Sequence, residues 1–186
     1  MSTPRTAPPE TGTAMAGLRS AGADGHRRVD RIVLERLRDL TVERYADLLT
    51  DLAAVHLPID GELRRHSPVA PRPVHPPLAA DLAALGRGLP EPGPTEDLAA
   101  TPAGALGVLY VVEGSAAGGP TVAGLVRRRL GASAPVAFLL RAGSDRTWWH
   151  DLAADVERSL ADPDDRAEAA AATRATFGRF AHGLTR

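Results

Sequence analysis

The chain has 186 residues, 44% of them hydrophobic and only 4% aromatic, with a formal net charge of −1. The near-neutral charge gives no nucleic-acid footprint. The complete lack of cysteine excludes disulfides, thiolate metal sites and a cysteine nucleophile, and it fits a cytoplasmic protein. The length suits one domain with a full core, and the dominance of alanine and leucine favours helices over sheets.

Residues 1–13, rich in proline, threonine and serine, read as a disordered tail without the apolar stretch of a signal peptide. The folded domain is expected over 14–186. An amphipathic helix starts at Ala14. Met15, Leu18, Gly22, His26, Val29 and Val33 recur at spacings of three and four and form one stripe. His26 falls on that stripe and is expected to point inward, with Asp30 four residues on and within side-chain reach. A lone inward histidine is more often a core residue than a ligand, and both readings stand at this point.

A second helix starts at a Thr41 cap, and Pro58 and Gly61 predict an interruption near its end. The proline-rich run at 67–77 reads as an extended surface connector, followed by a short helix over Leu78–Leu85. Thr101-Pro102 predicts a helix start. It opens the most unusual stretch of the chain, 102–130, where Gly104, Gly107, Gly114, Gly118, Gly119 and Gly124 surround Pro120. Each glycine costs a helix about 1 kcal/mol relative to alanine. A kinked helix is expected, with Pro120 at the kink. Gly114, Gly118 and Gly119 bare one patch of backbone. Two uses fit it: close packing of a neighbouring helix, or a flat cofactor lying against it. Residues 132–143 read as an extended loop, since the chain offers no partner strand. Ser144 caps a helix carrying Trp148 and Trp149, and Asp162-Pro163 starts the last helix, with Phe177 and Phe180 three apart. The sum is an all-α, single-domain bundle of six to eight helices. No 18-residue apolar span is present, so no transmembrane helix is expected.

Of the six histidines, His56, His66, His75 and His182 are expected at the surface, and His150 is a weak candidate for a binding role. Paired-histidine zinc spacing is lacking, as are G-x-S-x-G and phosphate-loop patterns.

Two segments together resemble the heme oxygenase family, in its bacterial branch often linked to phytochromes. LRSAGADGHRRVDR (18–31) is similar to that family's proximal helix, loosely L-[KR]-x-A-T-x-x-x-H-x-x-[VA]-[DE]. GVLYVVEGSAAGGPTVA (107–123) is similar to its distal helix, Y-V-x-E-G-S-x-x-G-G. The resemblance implies a helical fold with heme between these two helices. It implies that His26 is the axial ligand to the iron and that Asp30 hydrogen-bonds the ligand's ring. It implies that Gly114, Gly118 and Gly119 form the distal wall and that Ser115 orders water there, where animal members carry an aspartate. Arg19 would pair with a heme propionate, and Phe177 would lie at the heme edge. Pro120 departs from the family pattern, which has a polar or basic residue there. The implied activity is cleavage of heme with dioxygen to biliverdin, carbon monoxide and ferrous iron. Electrons would come from an external ferredoxin- or flavodoxin-type donor, with a bacteriophytochrome as one acceptor of the product; no nucleic acid or membrane partner is implied. The alternative is a non-enzymatic heme carrier or sensor on the same scaffold. Arg127, Arg128 and Arg129 suit an acidic donor, or simply the negative end of a helix.

Overall fold

A computed structural model describes residues 13–92, 97–142 and 146–185 of the chain. Residues 1–12 of the expected 1–13 tail and the expected cap at Ser144 lie outside the described residues; Thr13, expected in that tail, instead caps the first helix. Among the described residues the fold is all-α, with seven helices: α1 (Ala14–Arg36), α2 (Val42–His66), α3 (His75–Ala84), α4 (Pro102–Ala116), α5 (Gly119–Leu130), α6 (Arg146–Ser159) and α7 (Pro163–Gly183). No helix among them is long and apolar enough to cross a membrane.

Local chemistry fixes most helix starts. The hydroxyls of Thr13, Thr41 and Thr101 accept from the backbone N–H three residues on, at 3.2, 3.2 and 3.0 Å. The Asp162 carboxylate accepts from Asp164 N at 2.8 Å. Each such cap satisfies an otherwise orphaned donor and stabilises its helix by about 1 kcal/mol.

The long C-terminal helix α7 is the spine on which both α1 and α4 pack. Glycine permits the close approach on the α4 side. A Cβ at Gly107 would stand 2.1 Å from the Ala169 carbonyl oxygen, and Thr173 Oγ1 donates to the Gly107 carbonyl at 3.2 Å. On the α1 side, a Cβ at Gly22 or Gly25 would strike the Phe177 side chain at 2.7 or 2.4 Å.

Further expectations are corrected. α2 is not interrupted at Pro58: it runs to His66, and Pro58 is itself buried. A proline removes one helix hydrogen bond, but Ile59 and Leu63 beyond it stay on the core face at 1% exposure, and their burial offsets that loss. The proline run is not extended throughout 67–77. α3 begins at His75 with prolines in its first turn, where no intrahelical N–H is needed, and Val74 is buried. The stretch 102–130 is two helices rather than one kinked helix. Ala117 N and Gly118 N bond carbonyls three residues back, at 3.2 Å each, and α5 restarts with Pro120 in its first turn. Residues 132–142 form no strand, as expected, but they are not an extended loop: Leu140 N bonds the Val136 carbonyl and Arg141 N the Phe138 carbonyl, at 3.1 and 3.2 Å, closing tight turns.

Buried carboxylates tie the connections to this frame. Asp81 on α3 accepts from Ala137 N and Phe138 N at 2.9 and 2.8 Å, which pins the turn at 136–141. Glu113 on α4, 2% exposed, accepts from Arg72 N at 3.1 Å and Arg72 Nε at 2.8 Å and pairs with Nη2 at 2.6 Å. Arg72 also donates to the Ala142 carbonyl at 2.7 Å and stacks 4.3 Å over the Trp148 ring. Glu113→Gln keeps the shape but leaves Arg72 without its counter-charge. It is expected to cost about 3 kcal/mol in urea denaturation, and a loss below 0.5 kcal/mol would show the pair to be dispensable.

Candidate functional site

The helices α1 and α2, the α4–α5 junction, the 136–141 turn and α7 enclose an apolar cavity of about 370 Å³. Its shape follows from the spine: α1 and α4 both lean on α7, and the space between them is left open.

Of the residues singled out from sequence, His26, Asp30, Ser115, Gly118, Gly119 and Phe177 line this one cavity. Arg19 does not. It lines an adjoining recess with Gly22, His26, Tyr110 and Phe177. Gly114 faces elsewhere: a Cβ there would meet Trp149 at 3.5 Å. The three glycines therefore do not form one bare patch, because the helix break turns Gly118 and Gly119 away from Gly114.

His26 is not inward-pointing. Its side chain is 52% exposed and its Nδ1 lies 3.0 Å from Asp30 Oδ2. The centre of the buried stripe runs through Leu18, Gly22 and Gly25, and one residue further places His26 at its edge, on the cavity rim. Its ring meets Phe177 edge-on at 5.7 Å. The Asp30 contact fixes the ring's rotation and leaves Nε2 uncommitted.

On the opposite wall, Ser115 Oγ donates to the Val112 carbonyl at 3.0 Å, the back-bond open to a serine in a helix. A Cβ at Gly118 would meet only the Ser115 carbonyl oxygen at 3.6 Å, so this position opens onto the cavity. Gly119 is different: a Cβ there would fall 1.8 Å from the Leu139 carbonyl oxygen. It lets α5 close on the 136–141 turn.

Sequence reasoning missed several polar residues of the cavity, among them His56 and Arg141. His56, expected at the surface, is 3% exposed. It lies four residues after Leu52 and three before Ile59, on the core stripe of α2, and that spacing was the available signal. Its ring packs edge-on against Phe138 at 5.3 Å and Phe180 at 4.8 Å, and its Nδ1 has no hydrogen-bond partner. Burial, and secondarily the charge of Arg141, hold its pKa well below the usual value. Arg141, in the turn after Phe138, gave no sequence signal at all. His66, His75 and His182 are exposed, as expected.

His56 makes stability pH-dependent. Above about pH 6.5 it is neutral in both folded and unfolded chains. Below that pH the unfolded chain takes up a proton that the folded chain refuses, so stability falls as pH falls. Denaturation at pH 7.0 and 5.5 is expected to show about 1 kcal/mol more loss for the native chain than for His56→Leu; equal losses in the two would contradict the buried neutral state.

No family model matches the chain. A curated relative, a heme oxygenase of Xanthomonas campestris pv. campestris (strain 8004), is 33% identical over 110 residues, which cover 56% of this chain and 63% of that protein. The match thus spans somewhat less than two thirds of the relative's length.

Proposed function

We propose that the protein is a heme oxygenase, acting in the cytoplasm through the helical domain from residue 14 onward. It cleaves heme to biliverdin, carbon monoxide and ferrous iron, using dioxygen and electrons from an external ferredoxin- or flavodoxin-type donor. A bacteriophytochrome is a fitting acceptor for the biliverdin. The observation that carries this reading is that His26 with Asp30, and Ser115 with Gly118 and Gly119, face one apolar cavity although His26 and Ser115 stand 89 residues apart in sequence.

The residues present fit heme. The ring of His26 is oriented through Nδ1 by Asp30, the arrangement typical of a metal-binding imidazole, and Nε2 is left to hold the iron. Gly118 presents backbone without a side chain on the facing wall. Arg19, exposed beside the adjoining recess, suits a heme carboxylate. Phe177 supports the edge of the pocket next to His26.

The heme, at once substrate and cofactor, supplies the oxygen chemistry when bound. The chain's part is positional. Asp30 keeps His26 in one orientation. The α4–α5 break removes side chains from the wall facing His26, so that Gly118 leaves room for a small ligand. The apolar lining from Val111, Val122 and Phe138 limits water to the few polar spots of the wall, among them His56, Ser115, Thr121 and Arg141. Gly114 acts at one remove, seating Trp149 against α4.

Adding hemin to the purified chain is expected to give a Soret band, and reduced ferredoxin or ascorbate in air is then expected to give biliverdin absorbance. A second reading, a heme carrier or sensor, is favoured by the Ser115 hydroxyl proton being committed to the Val112 carbonyl, which leaves its oxygen to the cavity as an acceptor only. A stable Soret band without biliverdin would select it, and the lack of any Soret band would remove both.

A further inference from the structure

Arg141, among the described residues, is a cation of the cavity wall that the proposed site leaves unused. Burial lowers its pKa to about 10, which still leaves it charged at neutral pH. Its Nη1 donates to the Phe138 carbonyl and its Nη2 to the Val112 carbonyl, both at 3.2 Å, and the guanidinium lies 4.2 Å over the Phe138 ring. None of these partners is anionic. Glu113, whose field reaches it, is already bound three ways by Arg72. Among the described residues no carboxylate lies within ion-pair distance of Arg141. A half-buried cation whose direct partners among the described residues are all neutral is a cost to the fold.

Its placement is specific. The Val112 carbonyl accepts from both Arg141 Nη2 and Ser115 Oγ, so guanidinium and hydroxyl converge near the end of α4, and Gly118 lines the same cavity. His56, with its unpartnered Nδ1, lines the same cavity from α2. The cavity is thus asymmetric: His26 and Asp30 stand at the rim on α1, and a fixed positive charge stands on the α4–α5 side.

We propose that Arg141 is a positioning residue of the α4–α5 side of the cavity, whose fixed charge draws a small anion or a polarised ligand to the space in front of Gly118. The role rests on the reading of the cavity as a heme site, because heme would place such a ligand opposite His26. It supplies, from a loop, the charge that Ser115 lacks.

The test is azide binding to the hemin-loaded full chain at fixed pH, followed by the Soret shift. Arg141→Gln keeps hydrogen-bond donors for the carbonyls but removes the charge. It is expected to weaken azide about tenfold relative to the native chain at matched hemin loading. Arg141→Lys restores charge and is expected to bind azide within about threefold of the native chain. A purely structural role would not separate these two variants. Azide binding by Arg141→Gln at the native affinity, or no better by Lys than by Gln, overturns the role, as does loss of hemin binding in both variants. If the native chain itself takes up no hemin, the proposed function falls and the role falls with it. If hemin binds normally and only the azide result fails, Arg141 alone is misassigned.

Discussion

His26→Ala is expected to weaken hemin binding by more than 100-fold and to abolish biliverdin formation. The magnitude follows from what the structure makes of this residue. His26 sits on the cavity rim, its side chain half exposed, with Nδ1 held 3.0 Å from Asp30. Loss of an orienting partner alone costs a metal site about 10- to 100-fold in affinity. Removal of the ligand itself therefore costs more. Asp30→Asn supplies the graded comparison: it keeps a hydrogen-bonding group but loses the charge, and a fall within that 10- to 100-fold range is expected. The measurement is a Soret titration of each variant beside a thermal or urea melt. Because His26 is exposed on a helix surface, alanine there should leave stability within about 0.5 kcal/mol of native. A variant that folds normally and takes up hemin with the native spectrum would remove His26 from the site.

The architecture was readable in the sequence because its signals are local. Thr41, Thr101-Pro102 and Asp162-Pro163 each carry their own capping chemistry, and each starts a helix where expected. The failures arise where a distant partner overrides a local rule. Pro58 reads as a breaker, yet α2 continues because core contacts hold both sides of it. The connector before α3 reads as surface, yet Arg72 turns inward to Glu113, a residue 41 positions away. Asp81 pins the backbone of the 136–141 turn, and nothing in its neighbourhood in sequence announces that.

The site divides in the same way. His26 and Asp30 are joined by helix periodicity alone, and so the pair was visible. Arg141 was not, since a turn has no period and its direction is set by the two carbonyls it bonds. The glycines of 102–130 were visible as an anomaly but not as separate devices. They do different work at different positions: Gly107 serves close packing on α7, while Gly118 opens onto the cavity.

That separation gives the sharpest contrast among single-methyl changes. Gly119→Ala is expected to cost about 3 kcal/mol, at the upper end of overpacking penalties. Gly118→Ala, one residue earlier, is expected to change stability by less than 1 kcal/mol. Both backbone sites are helical or nearly so; Gly118 has φ −77° and ψ −14°, which any residue adopts. Backbone freedom is thus not the difference. Space is. The new methyl at 119 would lie 1.8 Å from the Leu139 carbonyl oxygen, a backbone atom that cannot swing aside, whereas at 118 its only neighbour is the Ser115 carbonyl at 3.6 Å. Relief at 119 requires α5 to part from the 136–141 turn. That turn is fastened from behind by Asp81, and it carries Phe138 and Arg141 into the cavity. Gly119→Ala should therefore also loosen hemin binding through a displaced wall. At 118 the order reverses: alanine should fold well and leave hemin binding nearly intact, while Gly118→Leu fills the space facing His26 and blocks access of small ligands. Urea denaturation and hemin titration of the three variants separate these outcomes. Native-like stability of Gly119→Ala would mean that α5 does not press on that turn, and unimpaired ligand access in Gly118→Leu would mean that the α4–α5 break does not face the bound heme.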